Sequence, residues 1–142
     1  MQYRFVDHTA DVEFIAYGGS ESELVKNALE ALFNIIAYTK KLKRAKGRSL
    51  KIKINAKGDS LEGLLWSVLQ KTFSMCDAKS LFGFKAEKVK VKSAGNSKIA
   101  SALILAREKC PECAKMDVKG ISKYELHVKK REKFIASVVV DV

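Results

Sequence analysis

Hydrophobic positions along the chain follow two rhythms, one near 3.6 residues and one of two. After Ser20, Leu24, Ala28, Leu32 and Ile35 fall on one side of a helix that ends near Ala37. Ser20 followed by Glu23 marks its start, because a serine side chain there accepts one free backbone N–H and the glutamate reaches back to another. A second helix carries Leu61, Leu64, Leu65, Val68, Leu69 and Cys76 on its apolar face, flanked by Trp66 and Phe73. Asp59 and Glu62 repeat the capping logic ahead of it.

The period of two predicts strands. Residues 3–5 and 12–18 read as short strands joined by the polar segment Asp7-His8-Thr9-Ala10-Asp11. Over residues 50–56, Ile52 and Ile54 alternate with Lys51 and Lys53. Beyond Asp77, Lys88, Lys90 and Lys92 alternate with Val89 and Val91, and Ile99, Ser101, Leu103 and Leu105 alternate with alanines and Ile104. Residues 126–130 and 134–140 follow as an antiparallel pair, and the last strand is apolar on both faces, which suits a central or covered position. Two helices cannot cover both faces of so large a sheet. The pattern therefore predicts an α+β fold of two layers, a mixed β-sheet with both helices packed on one face. With one proline, no repeat and no low-complexity linker, residues 1–142 read as one domain.

Composition changes this picture in three respects. No stretch approaches the roughly 20 apolar residues that cross a bilayer, and Asp7, Asp11 and Glu13 stand where a secretory signal would be apolar. We therefore expect a cytoplasmic protein with no membrane partner. The net charge of +11 favours an acidic partner, RNA first, although a solvated lysine-rich surface would give the same count. Lys40, Lys41, Lys43, Arg44, Lys46 and Arg48 form a connection with no acid among them and are the candidate RNA contacts.

The three cysteines are too few for a disulfide framework and suit a reducing compartment. Cys110-Pro111-Glu112-Cys113 supplies two of the four ligands that a zinc knuckle needs, and Cys76 and the two histidines are poorly placed to complete it. Zinc at Cys110 and Cys113 is disfavoured, and a reduced hairpin loop is expected. No glycine-rich phosphate loop appears, and no serine or cysteine has a histidine base at a recognisable spacing. A stand-alone enzyme, such as a metal-dependent phosphoesterase, is disfavoured on that ground. A passive single-strand RNA binder would want aromatic platforms that the chain lacks.

The segment Tyr3-Arg4-Phe5-Val6-Asp7-His8-Thr9-Ala10-Asp11-Val12 closely resembles the N-terminal signature of the archease family. The likeness continues through Ala28–Asn34, Leu61-Glu62-Gly63-Leu64-Leu65 and Asp117-Val118-Lys119-Gly120-Ile121, and the chain ends Val140-Asp141-Val142 as family members do. The resemblance implies a metal-binding accessory protein, not an enzyme. Its role would be to activate an RtcB-type tRNA-splicing RNA ligase by promoting guanylylation and multiple turnover. The family alternative is a chaperone-like or RNA-binding modulator of a tRNA methyltransferase.

Carried over residue by residue, the family's metal site falls on Asp11, Asp141 and the terminal α-carboxylate of Val142. Such hard oxygen donors suit Ca²⁺ first, with Mn²⁺ or Mg²⁺ next. On the residues alone, Asp11 could equally be a turn aspartate and Asp141 a solvated chain end. Asp7, His8 and Lys119 form a second tier: His8 could orient a carboxylate and Lys119 could meet a phosphate. The chain departs from the family where a Tyr-His-Asp becomes Lys123-Tyr124-Glu125, where a Glu-Leu pair becomes Lys71-Thr72, and in its basic charge.

Overall fold

Strand and helix meet twice through the same short motif, and these two junctions organise the fold. The computed structural model describes residues 1–7 and 11–142, Asp7 through its backbone only. Strand β2 (Asp11–Gly18) runs into helix α1 (Glu21–Ile36), and β3 (Ser49–Gly58) runs into α3 (Leu61–Ala78). In both, a glycine closes the strand and a serine two residues later caps the helix. Ser20 Oγ accepts the Glu23 N–H at 3.1 Å, and Ser60 Oγ accepts the Gly63 N–H at 3.0 Å. The glycines are needed because the helix passes over them: a Cβ on Gly18 would lie 2.3 Å from the Leu24 nitrogen, and one on Gly58 would lie 2.3 Å from the Leu64 nitrogen.

Sequence reading placed the first cap correctly and moved the second by one residue, from Ser60 to Asp59. At the first junction, Glu23 reaches back to the Gly19 N–H at 3.1 Å and fastens the turn ahead of the cap.

The fold is α+β, and its strands divide between two antiparallel sheets where one mixed sheet was expected. In the first, β1 (Tyr3–Asp7), β2, β8 (Phe134–Asp141) and β6 (Gly120–Ile121) lie side by side, with β7 (His127–Lys130) also paired to β8. In the second, the order is β3-β5-β4, with β4 (Leu81–Ala94) and β5 (Ser97–Glu108) joined across Gly95-Asn96. Gly95 has φ +62°, the left-handed geometry that tight hairpin turns require. That long hairpin offers β3 a partner in β5, so the second strand–helix unit founds its own sheet. As expected, β8 is central.

Helix α1 packs on both β2 and β4, and α3 packs on β3, β5 and β6, so the helices serve both sheets. One buried cluster joins Phe14, Ala136, Val138 and Val140 of the first sheet to Ile52, Ile54, Ala102 and Ile104 of the second, through Leu24, Leu32, Leu64 and Leu69. Residues alternating with these stand on the outer face of each sheet.

A third helix was not expected. Part of the basic connection folds as α2 (Thr39–Arg44). Its single apolar residue, Leu42, is fully buried against Ala37, Phe82 and Cys113 in a small second cluster. One anchoring leucine in six residues gives no periodicity to read. No helix among the described residues is long and apolar enough to cross a membrane.

Candidate functional site

The antiparallel register of β2 and β8 sets Asp11 directly opposite Asp141. Residues paired in this way project to the same face, with Cβ atoms about 4.5–5.5 Å apart. The face is the outer one, because Val12 and Phe14 of β2 and Val140 and Val138 of β8 turn toward the core. Asp141 is exposed and Asp11 half-buried. On its other side, β8 pairs Asp141 with Gly120 of β6, and the Lys119 N–H donates to the Asp141 carbonyl at 2.8 Å. Asp11, Asp141 and the Lys119–Gly120 step thus form one row across three strands.

A third carboxylate shares this face. Glu13 lies two residues along β2 from Asp11, opposite Val139, and the Ser137 hydroxyl donates to its Oε1 at 2.8 Å. Sequence reading used Glu13 only to argue against a leader segment. The period-two alternation of Asp11 and Glu13 was the signal for it. The donor chemistry of this row, carboxylates at the ends of two interior strands with Val142 following Asp141, fits a hard divalent cation.

Of the second-tier residues, Lys119 is brought beside Asp141. Asp7 ends β1 in register with Val12, one residue from Asp11. His8 lies outside the described residues. Tyr124 is 91% exposed in the turn between β6 and β7.

The cations Lys40, Lys41, Lys43 and Arg44 are exposed on α2, followed by exposed Lys46 and Arg48. Helix α2 packs against β4 and the short 3-10 turn Pro111–Cys113, neither of which carries Asp11 or Asp141. Lys41 sits 4.8 Å from the centre of the Tyr38 ring, and Lys115 approaches the same ring at 5.5 Å.

The expected reduced loop is corrected. Cys110 and Cys113 form a disulfide, with Cα atoms 5.2 Å apart. The physical reason is the 3-10 turn, in which side chains three residues apart eclipse one another. Glu112 is next to them, so the three side chains form a compact donor group, but bonded sulfurs offer no thiolate. The turn is tied to α1 and α2: the Tyr38 N–H donates to the Cys113 carbonyl at 2.8 Å, and the Lys115 N–H to the Ile36 carbonyl at 3.0 Å. Cys76 is the free cysteine, and burial pushes its thiol up to about 11, with Lys109 opposing the rise and Asp77 adding to it.

Two antiparallel sheets closed on a pair of long helices define a small α+β protein. The chain belongs to the archease protein family (MTH1598/TM1083), which it matches over residues 3–142. It is 30% identical to the protein archease of Archaeoglobus fulgidus over 143 residues, covering 100% of both chains. It is 28% identical to that of Methanosarcina barkeri, covering 99% of this chain and 96% of the other. The solution structure of Methanobacterium thermoautotrophicum protein 1598 shares the fold with a TM-score of 0.79 at 20% identity, over 99% of each chain. A crystal structure of a Thermotoga maritima archease, described as a possible chaperone, aligns with a TM-score of 0.61 at 14% identity, over 96% of this chain and 94% of that one.

Proposed function

We propose that this chain is an accessory protein that activates an RtcB-type tRNA-splicing RNA ligase, using a divalent cation held at Asp11 and Asp141. The register that sets these two carboxylates opposite each other on the outer face carries the reading. The α-carboxylate of Val142 is the third donor, and Ca²⁺ the first choice of ion, with Mn²⁺ or Mg²⁺ next. When bound, the cation would supply positive charge against nucleotide phosphates in the ligase. Asp11 and Asp141 hold their places through the β2–β8 ladder. Glu13 lies two residues further along the same face, held by Ser137 on the side away from the pair, and adds negative charge to that face. Lys119 stands at the rim of the row, positioned to meet a phosphate. The exposed cations Lys40, Lys41, Lys43, Arg44, Lys46 and Arg48 are a contact for tRNA held by the ligase.

The test is guanylylation of the ligase by GTP, with and without sub-stoichiometric amounts of this protein. The wild type should raise the rate at least tenfold, and Asp11→Ala should remove most of that gain while melting normally. No acceleration of a ligase active by itself would refute the reading. The Thermotoga maritima protein's description as a possible chaperone favours a second one, a chaperone-like role, for which a tRNA methyltransferase is the client implied by the family resemblance. That role would leave Asp11 dispensable.

A further inference from the structure

The second sheet turns the greater part of one face away from the helices, and its side chains follow a rule. Register places Lys51, Leu105 and Lys85 in one row, then Lys53, Leu103 and Glu87, then Asn55, Ser101 and Lys90, then Lys57, Ile99 and Lys92. Members of a row share a face, and the alternating positions Ile52, Ile54, Ala102 and Ile104 point into the core. The outer face is therefore an apolar spine on β5 between two rails of lysine on β3 and β4.

All six lysines are exposed, and the spine is partly so. The one carboxylate in the rows, Glu87, pairs with Lys85 at 3.5 Å. At the Lys57 and Lys92 end, the face runs into a groove of about 790 Å³ whose other wall is α3, with Trp66, Gln70 and Lys71. The Trp66 ring is pinned by its N–H, which donates to the Ile121 carbonyl at 2.9 Å, and Lys123 lies 4.9 Å from the ring centre.

We propose that this face and its groove bind single-stranded RNA. Three strands at about 4.8 Å spacing make a strip roughly 10 Å wide, the width of one strand and narrower than a duplex. Lysines two residues apart along a strand stand about 6.7 Å apart, comparable to one nucleotide of extended chain. The rails take phosphates as point charges, and in place of the aromatic platforms that the chain lacks, Ile99, Leu103 and Leu105 offer an aliphatic surface to the flat faces of unstacked bases. A duplex hides those bases and would meet only the rails, as would a purely acidic chain such as polyglutamate. With one aromatic ring and no recognition edge repeated along the face, binding follows the backbone and is tolerant of sequence. The surface is independent of the acidic row and of any ligase, so this inference and the proposed function stand or fall separately.

The test is fluorescence anisotropy of a labelled oligouridine, titrated with the full chain at several salt concentrations. Lys53→Glu, Lys57→Glu and Lys90→Glu together should weaken binding at least tenfold near about 0.1 M salt, and should flatten the slope of log affinity against log salt by about 2. A matched duplex should bind less tightly, and the variant's melting curve should match the wild type's. Unchanged affinity in this variant, combined with loss in Lys40→Glu, Lys43→Glu, would move the RNA site to α2 and overturn the proposal. So would equal binding of the duplex, displacement of the RNA by polyglutamate at equal charge, or no binding by the wild type in low salt.

Discussion

Gly18 and Gly58 show how much of this architecture rests on single atoms. Each lies under the first turn of a helix, so an added methyl group must displace backbone. Gly58→Ala should cost on the order of 3 kcal/mol or more, whereas Ser60→Ala, which removes only a cap hydrogen bond, should cost about 1 kcal/mol. Urea unfolding of the two variants would test this ranking, and a Gly58→Ala protein as stable as the wild type would refute the close approach. The serine and glutamate of the first cap were legible in the sequence. The glycines were not, because their role is set by what packs over them.

Cys76 gives a pH dependence. Burial holds its folded-state value near 11 against 9.0 for an ordinary thiol, so the folded state binds this proton more tightly. Its contribution to stability is intact below pH 9 and is lost as the pH climbs toward about 11, up to about 3 kcal/mol. Tyr3, raised by burial and by Glu30, acts in the same direction at higher pH. Comparing unfolding free energies across that window, Cys76→Ala should lose less stability than the wild type does. An identical loss would remove Cys76 as the cause.

Elements were readable from the chain wherever a face was long enough to show a period. Helix α1, helix α3 and the alternating strands β3 and β5 are such cases, while β8 was marked by being apolar on both faces. One pairing was readable, the antiparallel pair of residues 126–130 and 134–140 that became β7 and β8; the others were not, because alternation says which side of a strand is buried and nothing of which strand lies beside it. The division into two sheets follows from the β4–β5 hairpin, closed by its Gly95-Asn96 turn. Helix α2 escaped detection because Leu42, the disulfide turn and Phe82 come together only in the folded chain. This small cluster is separate from the main core. Leu42→Ala should therefore cost about 2–5 kcal/mol locally, with hydrogen-exchange protection lost first at residues 38–45 and 113–116. Uniform loss across β5 and β8 would instead mean that α2 is part of the global folding unit.

The whole molecule divides its chemistry between two outer faces: carboxylates where β2, β8 and β6 meet, and lysines over β3, β5 and β4. The net charge of +11 hid the first and could not locate the second. Aspartates 130 positions apart in the sequence were linked by family resemblance, and no spacing rule would have joined Asp11 to Asp141. Their register across β2 and β8 supplies the physical reason that a cation could bind between them. Glu13 and the lysine rails became visible only once pairing was known. The central claim is that this acidic row binds a divalent cation. Its most direct test is calorimetric titration of Ca²⁺ into the metal-free wild type and into Asp141→Asn, which preserves shape and removes one charge. The account predicts one site per chain in the wild type and affinity at least tenfold weaker in the variant. Equal affinity in the two proteins, or no binding of Ca²⁺, Mn²⁺ or Mg²⁺ by the wild type, would contradict it.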